Sequence, residues 1–218
     1  MAAAIALTVF IGFAPTFYLR GMFEAKPLSP LLILHGILFT SWILLFLVQV
    51  RLVAAKRTDI HRKLGVAAAM LAVVMPAVGA LAAITSAKKG FTPPNGPPAL
   101  VFLMIPLADM ILFSTLTALG LYFRRRSDIH KRLMLLATLA ILTPAIARIW
   151  FIRPLGFPGF LLLTDLFIVT CIVADRIRNG RFHPTFVWGG LCIIVSQPLR
   201  LLLAGTPAWH AVAAWLTR

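Results

Sequence analysis

Residues 30–50 read P-L-L-I-L-H-G-I-L-F-T-S-W-I-L-L-F-L-V-Q-V, without a single Asp, Glu, Lys or Arg. At about 1.5 Å of rise per residue, such a stretch coiled as a helix is roughly 31 Å long, the thickness of bilayer hydrocarbon. Lipid offers no partner for a backbone amide, so a segment of this kind has to satisfy its N–H and C=O groups internally, as a helix.

Six further apolar stretches flank it, at 3–19, 64–86, 98–121, 132–151, 157–175 and 184–203. The chain is 218 residues long, 61% hydrophobic and 12% charged. A soluble domain of that size has too little interior to hide so much apolar surface. The composition therefore excludes a soluble enzyme, a disordered chain and a nucleic-acid-binding domain. It predicts an all-α integral membrane bundle of seven transmembrane helices. The stretch 3–19 lacks a basic leader and a small-residue cleavage site, so it reads as a helix rather than a secretory signal. Residues 1–205 form the transmembrane domain. Residues 206–218, with Trp209 and Trp215, read as a short amphipathic tail lying in the interface.

The net charge of +15 is concentrated in alternate loops. Arg51, Lys56, Arg57, Arg62 and Lys63 follow the second stretch, and Arg124, Arg125, Arg126, Lys131 and Arg132 follow the fourth. Arg176, Arg178 and Arg181 follow the sixth. The intervening loops hold fewer: Arg20 and Lys26, Lys88 and Lys89, Arg153. The positive-inside tendency then puts the N-terminus in the cytoplasm and the C-terminus outside, with the basic loops against anionic lipid headgroups. Cys171 and Cys192 lie in separate apolar stretches and read as small buried hydrophobes.

Two basic loops share a motif. Residues 56–64 are K-R-T-D-I-H-R-K-L and residues 125–133 are R-R-S-D-I-H-K-R-L, an offset of 69. The offset spans two helices, so both copies fall on one side of the membrane. The pattern suggests tandem two-helix hairpins, 30–86 and 98–151, arranged as a parallel repeat. In structural terms Thr58 or Asp59 and Ser127 or Asp128 cap helices, and the cations reach to the headgroups. In functional terms His61 and His130 join His183, which precedes Pro184, at one depth. These three histidines, with Asp59 and Asp128, form a candidate metal or haem site. Arg62, Lys63, Lys131, Arg132 and Arg181 surround it as candidate partners for an anionic group.

A deeper polar set consists of His35, Asp109, Arg148, Asp165 and Arg200. Ionisable residues inside a span are costly and usually face the bundle interior. Arg148 is placed to reach Asp165, and Asp109 to pair with His35 or Arg200 or to carry a proton.

The run L-H-G-I-L-F-T-S-W (34–42), Gln49, H-R-K-L-G (61–65), R-F-H-P-T-F-V-W-G-G (181–190) and S-Q-P-L-R (196–200) resembles a group of uncharacterised bacterial multipass membrane proteins. Together with the loop charges, this implies a protein of the bacterial inner membrane. A looser similarity, His-Gly with a downstream Trp, is to the transmembrane di-haem b cytochromes, which implies haem b as a cofactor. Three readings of function follow. One is a histidine and basic site that binds a metal, haem or an anionic ligand. Another is a proton-coupled transporter that uses the intramembrane Asp, His and Arg residues. The third is a non-catalytic subunit bound to a membrane-protein partner or to a second copy of itself. No H-E-x-x-H or G-x-S-x-G signature is present, so no enzyme class is assigned.

Overall fold

The computed structural model describes residues 1–23, 27–93 and 96–218, and the described residues are helical without a strand. Lys26, one of the loop cations, and Pro94 and Asn95 of the 88–98 loop lie outside the described residues. Helix α1 (Ala2–Phe13) runs on into a π turn at Ala14–Tyr18. It is followed by α2 (Pro30–Ala54), α3 (Thr58–Lys88), α4 (Ala99–Tyr122), α5 (Ser127–Ala140) and α6 (Thr143–Ile146). The chain ends with α7 (Gly156–Asn179), α8 (Pro184–Ala204) and α9 (Pro207–Leu216).

Five of these, α2, α3, α4, α7 and α8, are long and apolar enough to cross a membrane. Their outward faces are apolar: Val73 is 76% exposed, Leu202 73% and Ile111 68%. Water would not tolerate such a girdle of aliphatic side chains, and lipid does. The chain thus has the character of a membrane-embedded helical protein.

The two other expected spans differ from that pattern. Residues 2–18 form an apolar helix of shorter length, closed by the π turn that contains Pro15. The stretch 132–151 is not one helix. Helix α5 ends at Ala140, Leu142 N–H turns back to the carbonyl of Leu139 at 3.1 Å, and α6 is a single turn. Pro144 is the cause: it has no N–H to give the carbonyl of Ala140, and its ring crowds that carbonyl. Pro76, Pro106 and Pro198 stand inside helices that continue past them.

The core lies at mid-bundle. Trp42 of α2 is 2% exposed and stands edge-on to Phe113 of α4, with ring centroids 4.9 Å apart. Its indole N–H donates to Thr138 Oγ1 of α5 at 3.2 Å. Helix α1 reaches the bundle through a close backbone approach: a Cβ built on Gly12 would lie 2.1 Å from the carbonyl oxygen of Ala145. Small residues of this kind let helices touch where no hydrophobic gradient drives them together. At the end opposite His61, α9 packs on α4. Thr206 caps it by accepting from Trp209 N–H, and the Trp209 indole N–H donates to the carbonyl of Leu100 at 2.8 Å.

Candidate functional site

Both copies of the repeated motif open a helix at the same register, α3 at Thr58 and α5 at Ser127. Neither N-cap residue makes a side-chain cap, and of the expected alternatives it is Asp59 and Asp128 that accept first-turn backbone N–H groups. Arg57 and Arg126 occupy the N-cap positions, so each hydroxyl falls one residue inside the helix, past the position from which a side chain caps. Asp59 and Asp128 instead sit in the first turns, where negative charge suits the positive end of the helix.

This register brings His61 and His130 together, with ring centroids 6.2 Å apart and planes at 82°. His130 is fixed by its Nδ1, 2.7 Å from the carbonyl oxygen of Gly120. A carbonyl only accepts, so Nδ1 carries the hydrogen, and in the neutral ring the lone pair is left on Nε2. Gly120 sits where α4 and α5 pack tightly: a Cβ there would come within 2.8 Å of the Met134 sulfur. His61 Nδ1 is buried without a partner, and the carbonyl of His61 accepts from Gln49 Nε2 at 3.2 Å.

The third histidine is close to this end but differently engaged. His183 is the N-cap of α8, with Pro184 in the first helical turn as its sequence suggested, and its Nε2 lies 3.3 Å from Asp128 Oδ2. Desolvation pulls the Asp128 carboxyl upward. The His183 hydrogen bond, the N–H groups of Asp128 and Ile129 and the charge of Arg126 outweigh it and hold the acid below its usual value. Asp59 is taken by Arg57, on the surface. Among the described residues no group of three His, Cys, Asp or Glu side chains is placed around one point as a metal would require. The expected three-histidine convergence is, in the structure, a pair with a neighbour.

Arg62, Lys63, Lys131 and Arg181 are exposed around this end. Arg132 is not available to a ligand in the same way. It is 4% exposed and grips Asp175 of α7 with three hydrogen bonds of 2.8–3.0 Å, while its Nη1 donates to the carbonyl of Asp128 at 2.6 Å. Asn179 also donates to Asp175 Oδ1, at 2.9 Å. Sequence reasoning passed over Asp175 and Asn179. The signal was the scarcity of acids: only six stand against 21 Lys and Arg, so each acid invites a partner search.

The deeper set separates into two places. Arg200 of α8 pairs with Asp109 of α4 through Nη1, and its Nη2 donates to Ser196 Oγ at 3.0 Å. Asp165 of α7 accepts from Gln197 Nε2 at 2.7 Å. The expected Arg148–Asp165 pair is not formed. The break at Pro144 takes Arg148 off any helix that runs antiparallel to α7. Arg148 Nη1 donates to the Pro144 carbonyl at 2.8 Å, and its guanidinium lies 4.6 Å from the Phe13 ring centroid. His35 stacks on Phe39 with centroids 4.1 Å apart, and its Nδ1 is buried without a partner.

Comparison of this chain with known protein families, curated proteins and solved structures finds no match.

Proposed function

We propose that this chain is a multipass protein of the bacterial inner membrane, N-terminus inside and C-terminus outside, whose cytoplasmic end binds a transition-metal ion between His61 and His130. The reading keeps the resemblance to the bacterial multipass group as its setting. It rests on one observation: the 6.2 Å approach of two imidazoles, one of them oriented by a carbonyl on its Nδ1.

A ring nitrogen lies about 1.1 Å from its centroid and a metal–imidazole bond is about 2.0–2.1 Å, so one ion spans centroids up to roughly 6.4 Å apart. The pair falls within that reach only when the two nitrogens lie nearly opposite each other across the ion. A backbone carbonyl on the other ring nitrogen is the usual device for aiming a ligating histidine. Copper, zinc and iron all accept imidazole. The remaining positions belong to solvent or to an anionic molecule drawn in by Arg62, Lys63 and Lys131. His61 and His130 would likewise be the residues to hold a haem b iron, which would supply redox chemistry.

Elemental analysis and an optical spectrum of the gently purified full chain test the reading, followed by titration with copper, zinc and iron salts. One ion per chain is expected, or a Soret band if haem is the group, with at least a tenfold loss of affinity in His61→Ala and in His130→Ala. Absence of binding, or binding that both variants retain, overturns it.

A further inference from the structure

Five of the six acidic residues lie in the described chain, and four of them face a basic side chain: Asp59 has Arg57, Asp109 has Arg200, Asp128 has His183 and Asp175 has Arg132. Asp165 has an uncharged amide, Gln197. It lies nine residues into α7, about 14 Å along a helix of membrane-spanning length, so its depth is close to the middle of the hydrocarbon.

Gln197 also lines a small cavity together with Asp109, Arg200, Thr143 and Thr164. This cavity lies against the break between α5 and α6. Thr143 and Thr164 share a hydrogen bond of 2.8 Å across it, and Arg200, 7% exposed, leaves its Nε buried and unpartnered there. The cavity wall thus carries Asp109, Arg200 and Gln197, and Gln197 in turn donates to Asp165.

Among the described residues no salt bridge joins a cation to Asp165. Of the elements packed against α7, α5 brings Arg132, which is committed to Asp175 about 15 Å further along α7. The turn before α7 brings Arg153, about 18 Å back along the chain if helical rise is assumed. Arg148, after α6, is held by Pro144 and Phe13, and Arg200 of α8 is held by Asp109. The thiol of Cys171 is neutral and lies six residues away on α7. Both carboxylates ionised would leave one uncompensated negative charge at mid-membrane, which hydrocarbon strongly disfavours.

We propose that Asp165 is an intramembrane proton-binding site, taking one proton from water onto its carboxylate and releasing it, with Gln197 connecting it to the Asp109–Arg200 pair. Binding takes the cluster from a net charge of minus one to zero. The role is separate from any ligand held at His61 and His130, because the two places share no residue.

A hydrophobic carbodiimide tests this on the unmodified full chain in lipid vesicles. The reagent adds a carboxylic acid across its C=N bond, moving the acid proton to nitrogen, so in a membrane it reports carboxyls that are protonated. Asp165 is half-buried, whereas Asp109 is buried and bound to Arg200. The expected result is a mass adduct on the peptide containing Asp165, none on that containing Asp109, and labelling that slows at least tenfold as pH is raised. In Gln197→Leu, which removes the hydrogen bond to the carboxylate, labelling persists to higher pH. Failure to label Asp165, or labelling independent of pH, overturns the proposal. Protection by Na⁺ at constant pH also overturns it, in favour of a metal-cation site.

Discussion

Arg132 is clasped to Asp175, whereas Lys63, which holds the same place in the other copy of the motif, stands exposed to solvent. Two stretches in which every position matches or is conservatively replaced have therefore been put to different uses. The second copy ties α5 to α7 through a forked, two-oxygen contact that suits a guanidinium and not an ammonium. The first copy has no α7 within reach and leaves its cation in solvent.

Removing the clasp should be felt throughout the bundle. Arg132→Ala strands Asp175 with Asn179 as its remaining donor, and breaking a buried pair from one side costs about 3–5 kcal/mol. Thermal unfolding in detergent should show this loss, with Arg132→Lys recovering only part of it. Lys63→Ala should leave the transition unmoved. Equal effects at the two positions would mean that the contact with Asp175 carries no weight.

Helix α1 depends on Gly12. A methyl there would sit 2.1 Å from the Ala145 carbonyl oxygen, so the helix has to move away. Gly12→Ala is expected to cost about 1–3 kcal/mol, as overpacking generally does. Gly21→Ala, where nothing lies within 4 Å, is the matched control. A protease-susceptibility assay on the α1–α2 connection reads the same event locally, and cleavage should quicken in the first variant alone.

The Asp128–His183 contact should weaken in acid. Asp128 is held below its usual value, so what the pair adds to stability is fully present above the ordinary carboxylate range. It is lost as pH falls through the lowered value. A carboxyl-carbon NMR titration of aspartate-labelled protein should show low midpoints for Asp59 and Asp128, of which only that of Asp128 returns upward in His183→Ala. A midpoint unchanged by that substitution would mean that His183 does not hold the acid.

Much of the architecture follows from features readable along the chain. Apolar runs of spanning length became α2, α3, α4, α7 and α8 because lipid leaves no alternative to a helix. Both motif copies begin helices, and the charge-pattern argument put His61 and His130 at the same end. What escaped reading was the work of neighbours. Pro15, Pro76, Pro106, Pro144 and Pro198, all inside apolar stretches, look alike in one dimension; Pro76, Pro106 and Pro198 ride within continuous helices, Pro15 lies in a π turn and Pro144 ends a helix. Thr58 and Ser127 looked like caps, yet the helices start one residue early and leave the hydroxyls without a task. Asp175 lies 43 residues from Arg132, and no local pattern joins them.

The brevity of α5 bears on how the chain enters the membrane. Its 14 residues make about 21 Å of helix, short of the roughly 30 Å that a solitary span has to cover, and its first turns carry Asp128, His130, Lys131 and Arg132. An insertion machine that releases segments one at a time would find little reason to release this one. What holds so short a helix in place is its packing against α4, α7 and α8.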